Sequence, residues 1–159
     1  MRRAIELAAK AFAFAGGAVL VLMIGMSVTS ITSRTVFGKP IPGDFELVQF
    51  ACAISIAAFL PWCQLRRANI IVDFFTTRLP ARAQSVLDGI GALLLAVVMG
   101  LVAWRAGLGA QDIYASGEHA MISRVPQWIG YAAIVPSLAL TAVVAVYTAW
   151  ESLFDKKQA

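Results

Sequence analysis

The chain has 159 residues, of which 60% are hydrophobic and only 14% are charged, and its mean hydropathy is +0.77. A soluble domain usually carries about 25% charged residues, so this composition excludes an ordinary soluble protein and predicts a single integral membrane domain. The net charge of +4 does not indicate nucleic-acid binding, because the basic residues lie at the ends of apolar segments and not in one patch.

Four apolar segments predict an all-α integral membrane fold with four transmembrane helices in one domain, residues 1–159. The first segment is longer than the apolar region of a secretory signal, about 7–15 residues, and leads into a second span, so we predict a retained helix. The predicted spans are, approximately, residues 11–33, 47–65, 87–108 and 128–150.

The third span is the shortest between its flanking charges. Only sixteen uncharged residues separate Asp88 from Arg105. They would form about 24 Å of helix, less than the roughly 30 Å hydrocarbon core. We therefore expect this helix to continue past Arg105, or back past Asp88, with the charged side chains reaching toward the interface.

Polar loops are predicted on one side of the membrane over residues 34–46 and 105–127. Between the second and third spans, residues 66–82 combine apolar positions at helical spacing with Arg66, Arg67, Arg78 and Arg82. This pattern predicts a short amphipathic interfacial helix over about 67–80, with its arginines among the anionic headgroups of membrane lipids. A plain solvated loop is the alternative.

The distribution of basic residues predicts the orientation. Nine Lys and Arg residues lie on the side of the two termini and the central segment, and four lie on the side of the two loops. Because basic residues are enriched in cytoplasmic segments, both termini are expected in the cytoplasm. Aromatic residues near the ends of the spans are typical of membrane interfaces: Trp62, Trp104, Trp128, Tyr131, Tyr147 and Trp150.

Residues for catalysis are not found in a usable pattern. The only histidine, His119, lies in a predicted loop, so paired haem ligation is excluded, and no Cys-x-x-Cys pair, metal-ligand cluster or nucleophile–base pair is evident. Cys52 and Cys63 are eleven residues apart on one predicted helix. That separation of about 16 Å is too long for a disulfide. We predict neither an enzyme nor a bound cofactor.

The spans also argue against a small self-sufficient proton-coupled transporter. Such a protein needs an ionisable group deep in the membrane, and the first, second and fourth spans are uncharged. The third span instead carries small residues at four-residue spacing, Ala92, Ala96 and Gly100. Small residues let membrane helices approach closely, either inside one bundle or against a partner helix.

Several motifs, taken in their order along the chain, resemble those of the small membrane subunit, Q or DctQ-type, of tripartite ATP-independent periplasmic (TRAP) transporters. They cover nearly the whole chain. The matching positions are Arg34, Glu46, Asn69–Asp73 with Leu79–Pro80, Tyr114–Glu118, Pro126–Trp128 and Tyr131. Many members have histidine where Asn69 stands, so the resemblance does not extend to a titrating group at that position.

The resemblance implies a non-catalytic accessory subunit in the bacterial inner membrane. Its partners would be a large membrane (M) subunit, which holds the substrate and sodium sites, and a periplasmic substrate-binding protein that delivers an organic acid. Some such systems fuse the two membrane subunits, and an end at Ala159 favours the separate form. The remaining alternatives are a homo-oligomeric transporter and a scaffold of another membrane complex.

The candidate partner-contacting residues lie mostly near the predicted membrane surfaces. Arg34 and Glu46 are expected to pair with each other or with the large subunit, or to be solvated. Glu118 belongs to the loop that a binding protein would contact, unless that loop is simply solvated. Asp73 is expected to cap the central helix or pair with an arginine, and Trp128 to anchor the interface or contact a partner. The candidates are Arg34, Glu46, Asp73, Ala92, Ala96, Gly100, Glu118 and Trp128.

Overall fold

The structure is a computed structural model that describes residues 2–39, 41–66 and 81–154. The amphipathic helix predicted over about 67–80, with Asp73, lies outside the described residues. Within these ranges the chain forms four helices, each long and apolar enough to cross a membrane. They are α1 (Arg2–Phe37), α2 (Asp44–Leu65), α3 (Ala81–Ser116) and α4 (Trp128–Phe154). For the described residues, the prediction of an all-helical fold with four helices of membrane-spanning length and composition is confirmed.

The helices are longer than the predicted spans. As expected, α3 runs past both Asp88 and Arg105, but it also includes residues 109–116, which lie beyond the predicted span. Arg105 is exposed, so its guanidinium can reach a polar environment without ending the helix. No proline interrupts this stretch, and α3 ends where Gly117 adopts a left-handed conformation with φ +68°.

Three extensive contacts give the order of the helices in space. α1 packs on α2, α2 packs on α4, and α4 packs on α3, while α1 and α4 meet at only a few positions. The helices therefore form a row in the order α1–α2–α4–α3. The two outer helices each have one extensive neighbour, and the core lies mainly along α4, where Val144 and Ala145 are fully buried.

Close packing and buried hydrogen bonds hold neighbouring helices of the row together. At Gly16 a Cβ atom would lie 2.9 Å from Ala58 Cβ, so glycine allows α1 to approach α2 closely. The Ser55 hydroxyl on α2 donates to the Gly16 carbonyl at 3.1 Å. The Gln64 amide donates to the Thr148 hydroxyl at 3.0 Å and joins α2 to α4. Such bonds matter because an unsatisfied polar group in an apolar environment is costly.

Candidate functional site

The helix ends and the two loops that connect them define two ends of the molecule. We call the end that carries residues 38–39, 41–43 and 117–127 the loop end. The opposite end, called the terminal end, carries the first turns of α1, Arg66 after α2, and the last turns of α4. Most of the candidate partner-contacting residues outside α3 lie at the loop end.

Glu46 joins α2 to the loop between α3 and α4. Its carboxylate accepts hydrogen bonds from the Ser123 N–H and hydroxyl, both at 2.9 Å, and from the Ile122 N–H at 3.2 Å. Glu46 precedes the apolar stretch that starts at Leu47. The Ser123 N–H, with help from its hydroxyl and from the Ile122 N–H, lowers the pKa of Glu46 below its ordinary value. A charged carboxylate therefore stabilises this contact between segments far apart in sequence.

Gly43, in the turn before α2, also allows the loop between α3 and α4 to approach α2 closely. Its φ is +78°, a left-handed conformation that side chains other than glycine rarely adopt. A Cβ atom at this position would lie 2.8 Å from Ser123 Cβ and 2.9 Å from the Ser123 nitrogen. Glycine is therefore required both by the turn before α2 and by the close approach of the second loop.

A second contact ties the first loop to α1. The buried Ser30 hydroxyl donates to the Asp44 carboxylate at 2.6 Å and accepts from the Ile41 N–H at 3.3 Å. Asp44 lies in the first turn of α2, where a negative charge also interacts favourably with the helix dipole. Together with Glu46, this makes the loop end one connected unit.

The second loop has internal structure of its own. The Ala120 N–H donates to the Val125 carbonyl at 2.9 Å, and the Gln127 N–H donates to the Glu118 carbonyl at 3.2 Å. At the tip between these bonds, Met121 is 95% exposed and Ile122 is 63% exposed. The loop therefore presents a small apolar tip on a backbone that is held in place by Glu46.

The other predicted residues at this end remain on the surface. Arg34 is exposed, and within the described part of the chain its guanidinium forms no ion pair, so it does not pair with Glu46. Glu118 is exposed. Trp128 is the first residue of α4 and makes an edge-to-face contact with Tyr114 on α3, with ring centroids 5.8 Å apart. These two aromatic rings line an open groove of about 280 Å³.

The small residues of α3 lie along its contact with α4. Ala96 is 7% exposed, Ala92 is partly buried, and a Cβ atom at Gly100 would lie 4.0 Å from Ala142 Cβ on α4. Gly89 and Ala103, which lie seven residues before and seven residues after Ala96, are also buried. The structure thus uses this part of α3 for packing within the chain, while a role toward a partner remains a prediction.

Three features of these ends were not predicted from the sequence. Ser123 binds Glu46, although nothing in its neighbourhood distinguishes it as a partner. Met121 forms the exposed loop tip. At the terminal end, Lys10 and Arg66 both lie over the Trp62 ring. The placement of Trp62 near a span end, together with flanking basic residues, was the available signal for that cluster.

The described residues contain no group of three His, Cys, Asp or Glu side chains that could hold a metal ion. A comparison with known protein families matches residues 23–155 to the tripartite ATP-independent periplasmic transporters, DctQ component. The chain belongs to the DctQ family. The match covers more than four fifths of the chain and confirms the resemblance drawn from the motifs. Searches among curated proteins and among solved structures give no match.

Membership in the DctQ family identifies this chain as an accessory subunit of a TRAP transporter. The four long apolar helices agree with a multi-pass membrane component of such a transporter. The loop end and the row of helices are therefore the two regions in which to look for subunit contacts.

Proposed function

We propose that this DctQ-family chain is a non-catalytic scaffold for a large membrane subunit that moves an organic acid across the bacterial inner membrane. Sodium coupling and the substrate site belong to that larger subunit. A periplasmic substrate-binding protein delivers the substrate. The family match is the observation that carries this proposal.

The row of four helices supports a scaffold role. Each outer helix has extensive contact with one neighbour only, and both carry many large exposed apolar side chains. Val21 on α1 is 70% exposed, and Val97 on α3 is 64% exposed. Such a row has two broad apolar faces, so one face can contact the large subunit while the other faces lipid.

The loop end supports contact with the binding protein. With both termini in the cytoplasm, this end faces the periplasm. Arg34 and Glu118 there offer an exposed cation and an exposed carboxylate, and Met121 offers an apolar tip. Because Glu46 holds the second loop against α2, Glu118 and Met121 are presented in a defined arrangement.

Purification tests the proposal. A tagged chain expressed from its native locus and extracted in mild detergent should retain a much larger polytopic membrane protein in a fixed ratio. The untagged strain is the control for non-specific recovery. Recovery of a homo-oligomer alone, with no larger partner, would contradict the scaffold role.

Reconstitution tests the non-catalytic role separately. Vesicles that contain this chain alone should not take up organic acids under a sodium gradient, even when the binding protein is added. Vesicles that contain the co-purified complex should take them up. Substrate uptake by the chain alone would identify a self-sufficient transporter and overturn the proposal.

A further inference from the structure

Two cations converge on one indole ring at the terminal end. Lys10 Nζ on α1 lies 5.5 Å from the centroid of the Trp62 ring on α2, and Arg66 Cζ lies 4.7 Å from it. These distances place the two cationic groups no more than about 10 Å apart. Both cations are exposed and Trp62 is partly buried, so the ring holds them together at the surface of the α1–α2 contact.

These two charges lack a compensating anion in the described ranges. Neither Lys10 nor Arg66 forms an ion pair there, and Glu6, one turn before Lys10 on α1, does not pair with it. Arg2 instead pairs with Glu151 on α4 at 3.5 Å. Two like charges held this close repel each other, and an anion that contacts both would offset that repulsion.

The cluster lies at the ends of the apolar stretches of α1 and α2, where the headgroup region of a bilayer is expected. Lys10 is the last charged residue before the uncharged stretch of α1, and Arg66 directly follows the apolar α2. Basic and tryptophan side chains at the ends of spans lie where lipid phosphates lie. The cluster therefore faces an environment that contains phosphate diesters.

An exposed apolar track leads from the cluster along α1. Phe14 lies one helical turn from Lys10 on the same face and is 80% exposed, and Val21 lies two turns further and is 70% exposed. A soluble anion would not use this track, but a lipid acyl chain would cover it. We propose that Lys10, Arg66 and Trp62 bind the phosphate of an anionic phospholipid whose acyl chain runs along Phe14 and Val21.

Fluorescence quenching tests this site. The full chain with Trp104, Trp128 and Trp150 replaced by phenylalanine reports on Trp62 alone. In mixed micelles, phosphatidylglycerol brominated near the carboxyl ends of its acyl chains should quench Trp62 at lower mole fraction than brominated phosphatidylcholine. Equal quenching by the two lipids would overturn the proposal.

Substitutions test the two cations. K10Q and R66Q should each raise the half-quenching mole fraction of brominated phosphatidylglycerol roughly fivefold, and together more than tenfold. K39Q removes an exposed cation at the opposite end and should change nothing. Circular dichroism verifies that each variant keeps its helices. An unchanged half-quenching fraction in the folded double variant would contradict the assignment.

Competition distinguishes a lipid from a soluble phosphate. Unlabelled phosphatidylglycerol should restore Trp62 fluorescence, whereas glycerol phosphate at the same concentration should not. Full restoration by glycerol phosphate would identify a soluble-anion site and overturn the lipid assignment. The proposal concerns the membrane contact of this chain and stands independently of the transport role.

Discussion

At the scale of single residues, Glu46 makes the most consequential polar contact. One carboxylate accepts three hydrogen bonds from the loop between α3 and α4, across 76 and 77 positions of sequence. Hydrogen bonds to a charged acceptor are stronger than neutral ones. The resemblance to the TRAP small subunit marks Glu46 as a candidate functional residue, but only the fold shows which groups it contacts.

We predict that E46Q weakens the loop end. Glutamine retains the size of the side chain but loses the negative charge that attracts the Ser123 and Ile122 N–H groups. The melting temperature of the purified chain should fall by roughly a few degrees. E118Q, at an exposed position, is the matched control and should leave the melting temperature unchanged. Equal melting temperatures for E46Q and the unmodified chain would contradict this prediction.

The lowered pKa of Glu46 also predicts a pH dependence. Its folded pKa lies below the ordinary glutamate value, so its contribution to stability is present above that value and is lost as pH falls through the folded pKa. The difference in melting temperature between the unmodified chain and E46Q should therefore shrink below the ordinary glutamate pKa. A difference that grows with acidification would contradict the assigned direction.

At the scale of elements, the seam between α1 and α2 depends on small residues. A Cβ atom at Gly16 would meet Ala58 Cβ at 2.9 Å and the Ser55 carbonyl at 3.2 Å. At Gly25 on the same helix nothing lies within 4 Å of such an atom. Two glycines of one helix therefore differ completely in what surrounds them, and the pair offers a matched comparison.

We predict that G16I destabilises the chain and G25I does not. Isoleucine at position 16 must push α1 away from α2 and lengthen the Ser55 hydrogen bond. Overpacking of this kind costs about 1–3 kcal/mol. The free energy of unfolding in mixed detergent micelles measures the cost. Comparable free energies for G16I and G25I would show that α1 does not pack on α2 through Gly16.

At the scale of the whole molecule, the row α1–α2–α4–α3 places both loops at one end, and the start of α1 and the end of α4 at the other. The count of basic residues predicts which end faces the cytoplasm. This orientation decides whether Met121 and Glu118 are available to a periplasmic protein. It is therefore the most important property of the chain to measure.

Cysteine labelling measures the orientation. Cys52 and Cys63 are both free, so the background needs C52A and C63A. In intact cells an impermeant maleimide that reaches the periplasm should label M121C. The substitution A4C leaves every charge unchanged. The maleimide should label A4C only after the membrane is permeabilised. The reverse pattern would place the termini outside and contradict the predicted orientation.

The sequence by itself determined the membrane class, the four helices and the family. Apolar segments of about 20 residues leave few alternatives to helices in a bilayer, because each backbone polar group must be satisfied within the segment. The same reasoning predicted that α3 continues past its flanking charges. α3 nevertheless extends further than predicted, because the span was set by the thickness of the hydrocarbon core, whereas the helix continues through polar residues to Ser116.

Only the tertiary structure decided which helices are neighbours and where the charged groups go. Helix order depends on the close approach of small residues such as Gly16 and Ala96, and the spacing alone does not name the opposing surface. Glu46 binds Ser123, and Lys10 joins Arg66 over Trp62, because folding brings together residues far apart in the chain. Local patterns carry information about a segment and its solvent, whereas these pairings depend on the geometry of the whole row.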